Sequence, residues 1–532
     1  MLALLPWLLL ALLLLEQLIV LPSLLKRAGM ASWKGAIPGL HLLAFLQLIG
    51  RPWYWIFPLL VPGVNVLMLA IMQVELGIVF GRRSSAEQWV MGALPWYGMV
   101  DLMRKDEAYV GPRNWSRTRK SAGREWSESI LWAVVVATIV RTFVFEAFKI
   151  PTGSMEGSML VGDYLYVSKT AYGPKVPMTP MTVPFMHNVL PGGMTPSYTS
   201  WFSLPYFRLP GLRDVERYDA VVFNFPHGDT IVVHPDLAGH DYYALLRQQA
   251  IQAADRSVDK YLSDPAKYDE IGRKQLAREH GLRARPVDKM EHYVKRCVGL
   301  PGETVSVVES QLHIDGEPVE NPAGLQLDYE VTFVNGLAAK RAFEELELTN
   351  IDLAGQPRAD GEHVVAPLAL TEGEVQQLRN SAMVVEVERM SHAEYRGRLA
   401  MFPNVSSPEF DSWDPDNFGP ITIPRKGMTV TLNRRNREVY RRVISVYEGH
   451  DLVEQGDLVT IDGEPATSYT FEQNYYWMMG DNRHHSADSR MWGFVPETHI
   501  VGRASFIWFS KMNQGQHGRS GVRTERIFSK VK

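Results

Sequence analysis

The sequence holds a single cysteine, Cys297, so no disulfide can form within the chain and cysteine pairing says nothing about the redox compartment. Cys297 itself reads as a small buried or half-buried hydrophobe before it reads as a reactive thiol. No charge of one sign dominates: 55 lysines and arginines face 59 aspartates and glutamates, a formal net charge of -4. With no global basic field, nucleic acid is not an expected partner. There is no repeat and no low-complexity tract. Beyond residue 149 no apolar run reaches spanning length, which makes the remainder a water-facing body of about 380 residues, ample for a core.

Long apolar runs are present, all of them before residue 149. Leu2 to Val20 is broken only by Glu16 and Gln17. No lysine or arginine precedes it and no small-residue cleavage site follows, so it reads as a retained helix and not a removed leader. Trp53 to Phe80 is long enough to cross, but Pro58, Pro62, Gly63 and Asn65 interrupt its first half, giving one kinked span or a re-entrant pair. Ile130 to Val140 is uninterrupted and continues to Phe148, reaching the ~20 residues a bilayer needs. The expectation is a transmembrane anchor at 128–148, preceded by a membrane region at 1–127 of one or two spans plus a basic segment. The basic residues between Arg82 and Arg124 place that segment in the cytoplasm and everything after Phe148 outside. Lys26, Arg27, Lys34 and Arg51 pull the other way, so the route of residues 1–127 stays open.

The water-facing part reads as antiparallel β. Short β-rich segments recur, such as Tyr164 to Ser168, Ala220 to Phe225, Tyr293 to Val298 and Ala504 to Phe509, punctuated by turns such as Asp315-Gly316 and Pro301-Gly302. Two stretches depart from this: helical spacing marks an insertion at about 235–288, and mixed signals mark a larger one at 321–419. Pro184 to Pro210 concentrates aromatics among prolines, either as a buried loop or as a surface resting at the bilayer interface. The basic tail, 512–532, carries Arg519, Arg523, Arg526, Lys530 and Lys532, either solvated or drawn to anionic lipid.

Three polar elements carry chemistry. Pro151-Thr-Gly-Ser154 is a turn that holds one hydroxyl in a fixed, exposed direction, just beyond the last apolar run. A serine hydroxyl needs a proton acceptor, and lysine serves only if burial or a nearby cation leaves its amine neutral. Lys295 lies in the β-like run Tyr293 to Val298, ahead of Pro301-Gly302. Gly480 to Arg490 is dense in short polar side chains that suit a buried hydrogen-bond network, with Asp488 and Arg490 able to pair. His484 and His485 invite a metal reading, but adjacent residues in a β segment face opposite sides, so no metal and no cofactor is expected.

Together, and in this order after an apolar run, these elements resemble the type I signal peptidase family (peptidase family S26). The resemblance rests on Pro151 to Met155, on Lys295-Arg296-x-x-Gly-x-Pro-Gly302, on Gly480-Asp-Asn-Arg-x-x-Ser-x-Asp-Ser-Arg490, and on the strand Arg217 to Pro226. It implies a mainly β, membrane-anchored fold preceded by transmembrane helices, here with α/β insertions. It also implies a serine endopeptidase that removes N-terminal signal peptides from exported preproteins. Ser154 is then the nucleophile and Lys295 the general base; Ser154 N–H and Thr152 form the oxyanion hole, and Ser486 orients the lysine. Gly480, Asp481, Arg296, Asp488 and Arg490 support the site, while Met155 and Tyr293 touch a substrate with an Ala-x-Ala cleavage site. The implied setting is the bacterial inner membrane, multi-pass, with the catalytic domain on the periplasmic side. Two departures stand out, Gly157 where proline is common and His292 where an acidic residue is frequent. The alternatives are a Ser/Lys membrane peptidase processing one dedicated partner, and an inactive membrane scaffold.

Overall fold

The computed structural model describes residues 18–59, 61, 64–112, 122–183, 186–201, 203–226, 228, 230–345, 355–397, 399–455, 458–512 and 521–531. Two units emerge: Met1–Val144 with Val176–Phe207, and Phe145–Lys175 with Arg208–Lys532.

The first unit is helical: α1 (Leu40–Leu48), α2 (Val64–Val79), α3 (Ser85–Ala93), α4 (Pro95–Arg104) and α5 (Ala122–Phe143). Ser84 and Glu87 form a capping box that starts α3, and Pro95 at the first position starts α4. Phe45, Met68, Leu76, Met91 and Val135 belong to its core. The apolar stretch from Trp53 to Phe80 is not one rod. Short helical turns at Trp53–Trp55 and Ile56–Leu59 precede α2, whose 16 residues span about 24 Å, against the ~30 Å of a hydrocarbon core. Among the described residues no helix is long and apolar enough to cross a membrane. Leu2 to Gln17 and Arg113 to Lys120 lie outside the described residues. Arg82 is buried and pairs with Asp101 at 2.8 Å and Glu107 at 3.0 Å, so this member of the basic segment is neutralised locally.

The segment Val176–Phe207 folds back on itself. Val183 N–H donates to Ser197 at 2.7 Å and Leu190 N–H to Thr195 at 2.8 Å, while the Asn65 amide of α2 donates to the Pro180 carbonyl at 2.8 Å. Its aromatics divide: Tyr198 is buried and Trp201 is 75 % exposed.

Helix α5 stops at Phe143, short of the expected Phe148, because the next residues pair as a strand. β1 (Phe145–Lys149) lies antiparallel to β2 (Asp163–Ser168), and Glu146 pairs with Lys169 at 2.8 Å. The chain continues through β3 (Ala220–Asn224), β4 (His292–Gly299), β5 (Gln326–Phe333), β6 (His363–Thr371), β7 (Val384–Arg389), β8 (Tyr475–Met479), β9 (Val495–Pro496) and β10 (Ile500–Met512). The main sheet runs β1-β2-β10-β3-β4-β8-β9, each neighbouring pair antiparallel. Between β3 and β4 come the helices α6 (Tyr242–Ala253) and α7 (Pro265–Glu279), where the sequence expects the helical insertion. In the larger insertion β5 pairs with β6 and β7, and α8 (Gly336–Glu345) and α9 (Glu372–Arg379) bury Ala339, Val375 and Leu378 against that sheet.

The described part of the C-terminal tail is strand-paired, not free. Gly521–Val522 joins Lys511 and Met512, and Ser529–Lys530 joins Phe506 and Ile507. Arg526 and Arg523 stand 2.7 and 3.7 Å from the buried Asp163 carboxylate, which draws the tail's basic side chains inward.

Gly157 takes φ +90°, and a Cβ there would lie 2.1 Å from the Gly324 carbonyl oxygen. This is why proline, fixed near φ -65°, does not stand at this position. Gly157→Ala is expected to lower stability by about 1–3 kcal/mol, read as an earlier midpoint in urea unfolding; a midpoint equal to wild type would contradict this packing.

Candidate active site

The loop after β1 is closed at its neck and nailed from below. Ile150 N–H donates to the Asp163 carbonyl at 2.8 Å, and Gly162 N–H returns to Ile150 at 3.0 Å. Met155 and Met159 are buried in a core shared with Leu165, Val222 and Ile507. Burying each such side chain contributes about 1.5–3 kcal/mol. From the tail, Arg526 donates to the Ser158 carbonyl at 2.9 Å. Ser154 sits half-buried between these anchors, while Thr152 is exposed.

Lys295 comes from β4, in the middle of the sheet, opposite Val221 of β3. It is 3 % exposed, and its Nζ donates to Ser154 Oγ. Burial drives the amine's pKa down from 10.5 to about 8; Asp488 and Asp481 oppose the shift and Arg490 adds to it. A group poised there can be neutral near neutral pH, as a general base requires.

The two nearby carboxylates are each held by an arginine. Asp481 takes a forked pair of bonds from Arg296, at 2.6 Å from Nε and 2.5 Å from Nη2. Arg296 also donates to the Tyr218 carbonyl at 2.7 Å and to Ser158 Oγ at 3.0 Å, tying the loop that carries Ser154 to β4. Asp488 receives Arg490 Nε at 3.0 Å and Nη2 at 2.8 Å, plus Gly480 N–H at 3.1 Å. Burial pushes the Asp488 carboxyl up, but Arg490 and these hydrogen bonds outweigh it and leave it below the usual range.

Gly480 is where the elements meet. A Cβ there would lie 2.2 Å from Ser486 Oγ and 2.5 Å from the Ser154 carbonyl oxygen, so only glycine lets the two serines approach. Asn482 N–H donates to that same Ser154 carbonyl at 3.3 Å. Ser486 is buried, and its Oγ makes no hydrogen bond here, to Lys295 or otherwise. Of the two expected substrate contacts, Met155 packs inward. Tyr293 stacks on Phe225 with ring centroids 4.4 Å apart, and its hydroxyl donates to the Gly239 carbonyl at 3.3 Å.

The expectation that His484 and His485 face opposite sides fails. They lie in a turn, not a strand, and both reach Asp328 of β5: His485 Nε2 at 3.1 Å and His484 Nδ1 at 3.8 Å. Sequence reasoning also missed Asp163, Asp328, His392 and Asp416, whose partners lie far along the chain. The pair of histidines was the one local signal.

The profile of the family described as signal peptidase, peptidase S26, matches residues 123–352 and 463–509, together more than half of the 532 residues, and the chain belongs to that family of serine endopeptidases. A second profile, of a family of unknown function, matches residues 33–112. Signal peptidase I of Haemophilus influenzae is 25 % identical over 421 residues, covering 77 % of this chain and 77 % of that protein. Signal peptidase I of Pseudomonas aeruginosa is 20 % identical over 469 residues, covering 85 % and 92 % respectively. Signal peptidase I of Aquifex aeolicus is 50 % identical over 45 residues, 8 % of this chain and 18 % of that one.

Arg296→Ala would leave Asp481 buried without its countercharge, and the expected cost is about 3–5 kcal/mol in denaturant unfolding. A loss below about 1 kcal/mol, the size of an exposed pair, would show that Asp481 is solvated.

Proposed function

We propose that this chain is a membrane-bound signal peptidase that cleaves preproteins by attack of Ser154, with Lys295 as the base. The observation that carries the reading is a buried lysine amine bonded to the hydroxyl of a half-buried serine. Neutral Lys295 takes the proton of Ser154 as Oγ adds to the scissile carbonyl. The oxyanion that develops is met by Ser154 N–H and the Thr152 hydroxyl, donors that act most strongly on the transition state. Collapse expels the new amino terminus, which takes the proton back from the Lys295 ammonium. A water molecule, deprotonated by the same amine, then frees the acyl group from Ser154. Ser486 Oγ, buried and unpaired beside Gly480, is available to hold the amine between these transfers.

The substrate is the extended end of a signal peptide, with small residues of Ala-x-Ala type before the cut, bound as an added strand near Tyr293 and the nucleophile loop. Membrane attachment at the bacterial inner membrane, with the catalytic unit on the periplasmic side, is supported by α5. Its Ile130, Trp132 and Val136 are exposed, Ile130 at 59 %, apolar side chains suited to lipid. Attachment holds enzyme and tethered substrate in one plane, which raises their effective concentration. The basic residues from Arg83 to Arg124 support the orientation.

In detergent micelles, wild type is expected to cleave a preprotein, whereas Ser154→Ala and Lys295→Ala lose activity by a factor on the order of 10⁴ to 10⁶. Lys295→Arg keeps the charge but cannot deprotonate, and should be equally inactive. Wild-type activity should rise with pH through about 8, because only the neutral amine accepts the proton. Cleavage by Lys295→Arg, or a rate flat across that range, would remove the lysine from the mechanism.

A further inference from the structure

The larger insertion reaches the catalytic loop directly. Gln326 N–H at the start of β5 donates to the Asp481 carbonyl at 2.8 Å, and Arg483 N–H returns to Gln326 at 3.0 Å. Two residues on, Asp328 N–H donates to His484 Nδ1 at 3.0 Å. His484 Nε2 lies 2.8 Å from Asp416 Oδ1, and His485 Nε2 lies 3.1 Å from Asp328 Oδ1. His392 closes the ring, with Nε2 at 3.2 Å from Asp328 Oδ2 and Nδ1 at 3.3 Å from Asp416 Oδ2. Its imidazole stacks on that of His484, ring centroids 3.8 Å apart. Asp328 is 3 % exposed and His392 9 %.

These bonds fix the protons. Because an amide N–H points at His484 Nδ1, that nitrogen is the acceptor and Nε2 carries the hydrogen it gives to Asp416. Both nitrogens of His392 face carboxylates, Nε2 hydrogen-bonded to Asp328 and Nδ1 at ion-pair distance from Asp416, which favours the doubly protonated ring. Burial works against that charge, but the hydrogen bonds and charges of Asp328 and Asp416 prevail and push its pKa up to about 9. The carboxyls of Asp328 and Asp416 fall well below the usual range: burial opposes this, and it is overcome at Asp328 by His392 and His485 and at Asp416 by His392, His484 and Ser310. The titratable groups against His392 are Asp328 from β5, Asp416 from the stretch ahead of Phe418, His484 and His485 from the catalytic loop, and Tyr395.

Asp328, His392 and His484 are also donors of the kind that bind zinc, with ligand atoms within 4.8 Å of one another. The hydrogen bonding favours another use. Both nitrogens of His484 are committed, and its ring lies within 15° of parallel to that of His392, so their in-plane lone pairs do not converge on one point.

We propose that Asp328, His392 and Asp416 are positioning residues, through which the inserted domain fixes the Gly480–Arg490 loop and so sets Ser486 and Ser154 against Lys295. The inference rests on the Ser154–Lys295 reading. His485 immediately precedes Ser486, and Ser486 Oγ and the Ser154 carbonyl both crowd Gly480. A shift of the histidine turn is therefore passed to the wall that keeps water from the lysine.

The test compares wild type, His392→Gln and Asp328→Asn in the full-length chain in detergent micelles, with a preprotein as substrate and the folded fraction measured by urea unfolding. The kcat per folded enzyme is expected to fall about 10- to 100-fold with KM changed less than about threefold, as for a misplaced catalytic group. The acid limb of the kcat profile should move to higher pH, because a lysine reached by water regains its ordinary basicity. Hydrogen exchange at amides 480–490 should accelerate in both variants while that of α6 and α7 stays the same, a readout independent of cleavage. Unchanged kcat per folded enzyme, acid limb and loop exchange in both variants would overturn the proposal even if wild type is active. If wild type itself fails to cleave, the peptidase reading falls and the exchange data still decide the clamp. Visible absorption of a tetrahedral Co²⁺ complex, lost in His392→Gln, would replace the clamp with a metal site.

Discussion

Burial lowers the pKa of the Lys295 amine to about 8, and this burial is the condition around which the surrounding residues are arranged. Its walls come from distant parts of the chain: β3 and β8 flank β4, and the loop after β1 covers the Nζ. Two carboxylates nearby, Asp481 and Asp488, would by themselves hold the proton on. Each is instead saturated by an arginine, Arg296 or Arg490, and the net effect at Lys295 remains a lowered pKa. Buried ion pairs are weak evidence for added stability, since desolvation consumes much of their attraction. Here they have a clearer purpose, keeping negative charge from dominating the field at the lysine.

The parts of the site that the sequence revealed are those with local signatures. A glycine-serine turn, a lysine in a β run and a dense polar loop each sit within a dozen residues, and the structure brings Ser154, Lys295 and Gly480 together. The antiparallel β body was legible from recurring short β-rich segments and turn residues. What escaped was set by long-range pairing. The apolar run ending at Phe148 reads as continuous helix, yet β2 captures its last residues as a strand. The tail's arginines look like a solvated basic patch until Asp163, far back in the chain, is found to receive them. His484 and His485 were judged by strand alternation although they occupy a turn, and no local pattern announces Asp328 or Asp416 as their partners.

The insertion at 321–419 bears on a family departure as well. Gly157 and Gly324 touch backbone to backbone, so the start of the insertion rests on the nucleophile loop itself. The space beside position 157 is taken by Gly324, and the positive φ there excludes proline. The inserted domain therefore meets the catalytic machinery on two sides, at Gly157 and at the histidine turn.

The hydrogen bond from Arg526 to the Ser158 carbonyl joins positions 368 residues apart. Contacts of such separation form slowly, because a large loop must close before they are rewarded. The loop around Ser154 therefore gains this brace only after the sheet between the two positions has closed, so its final support comes late in folding.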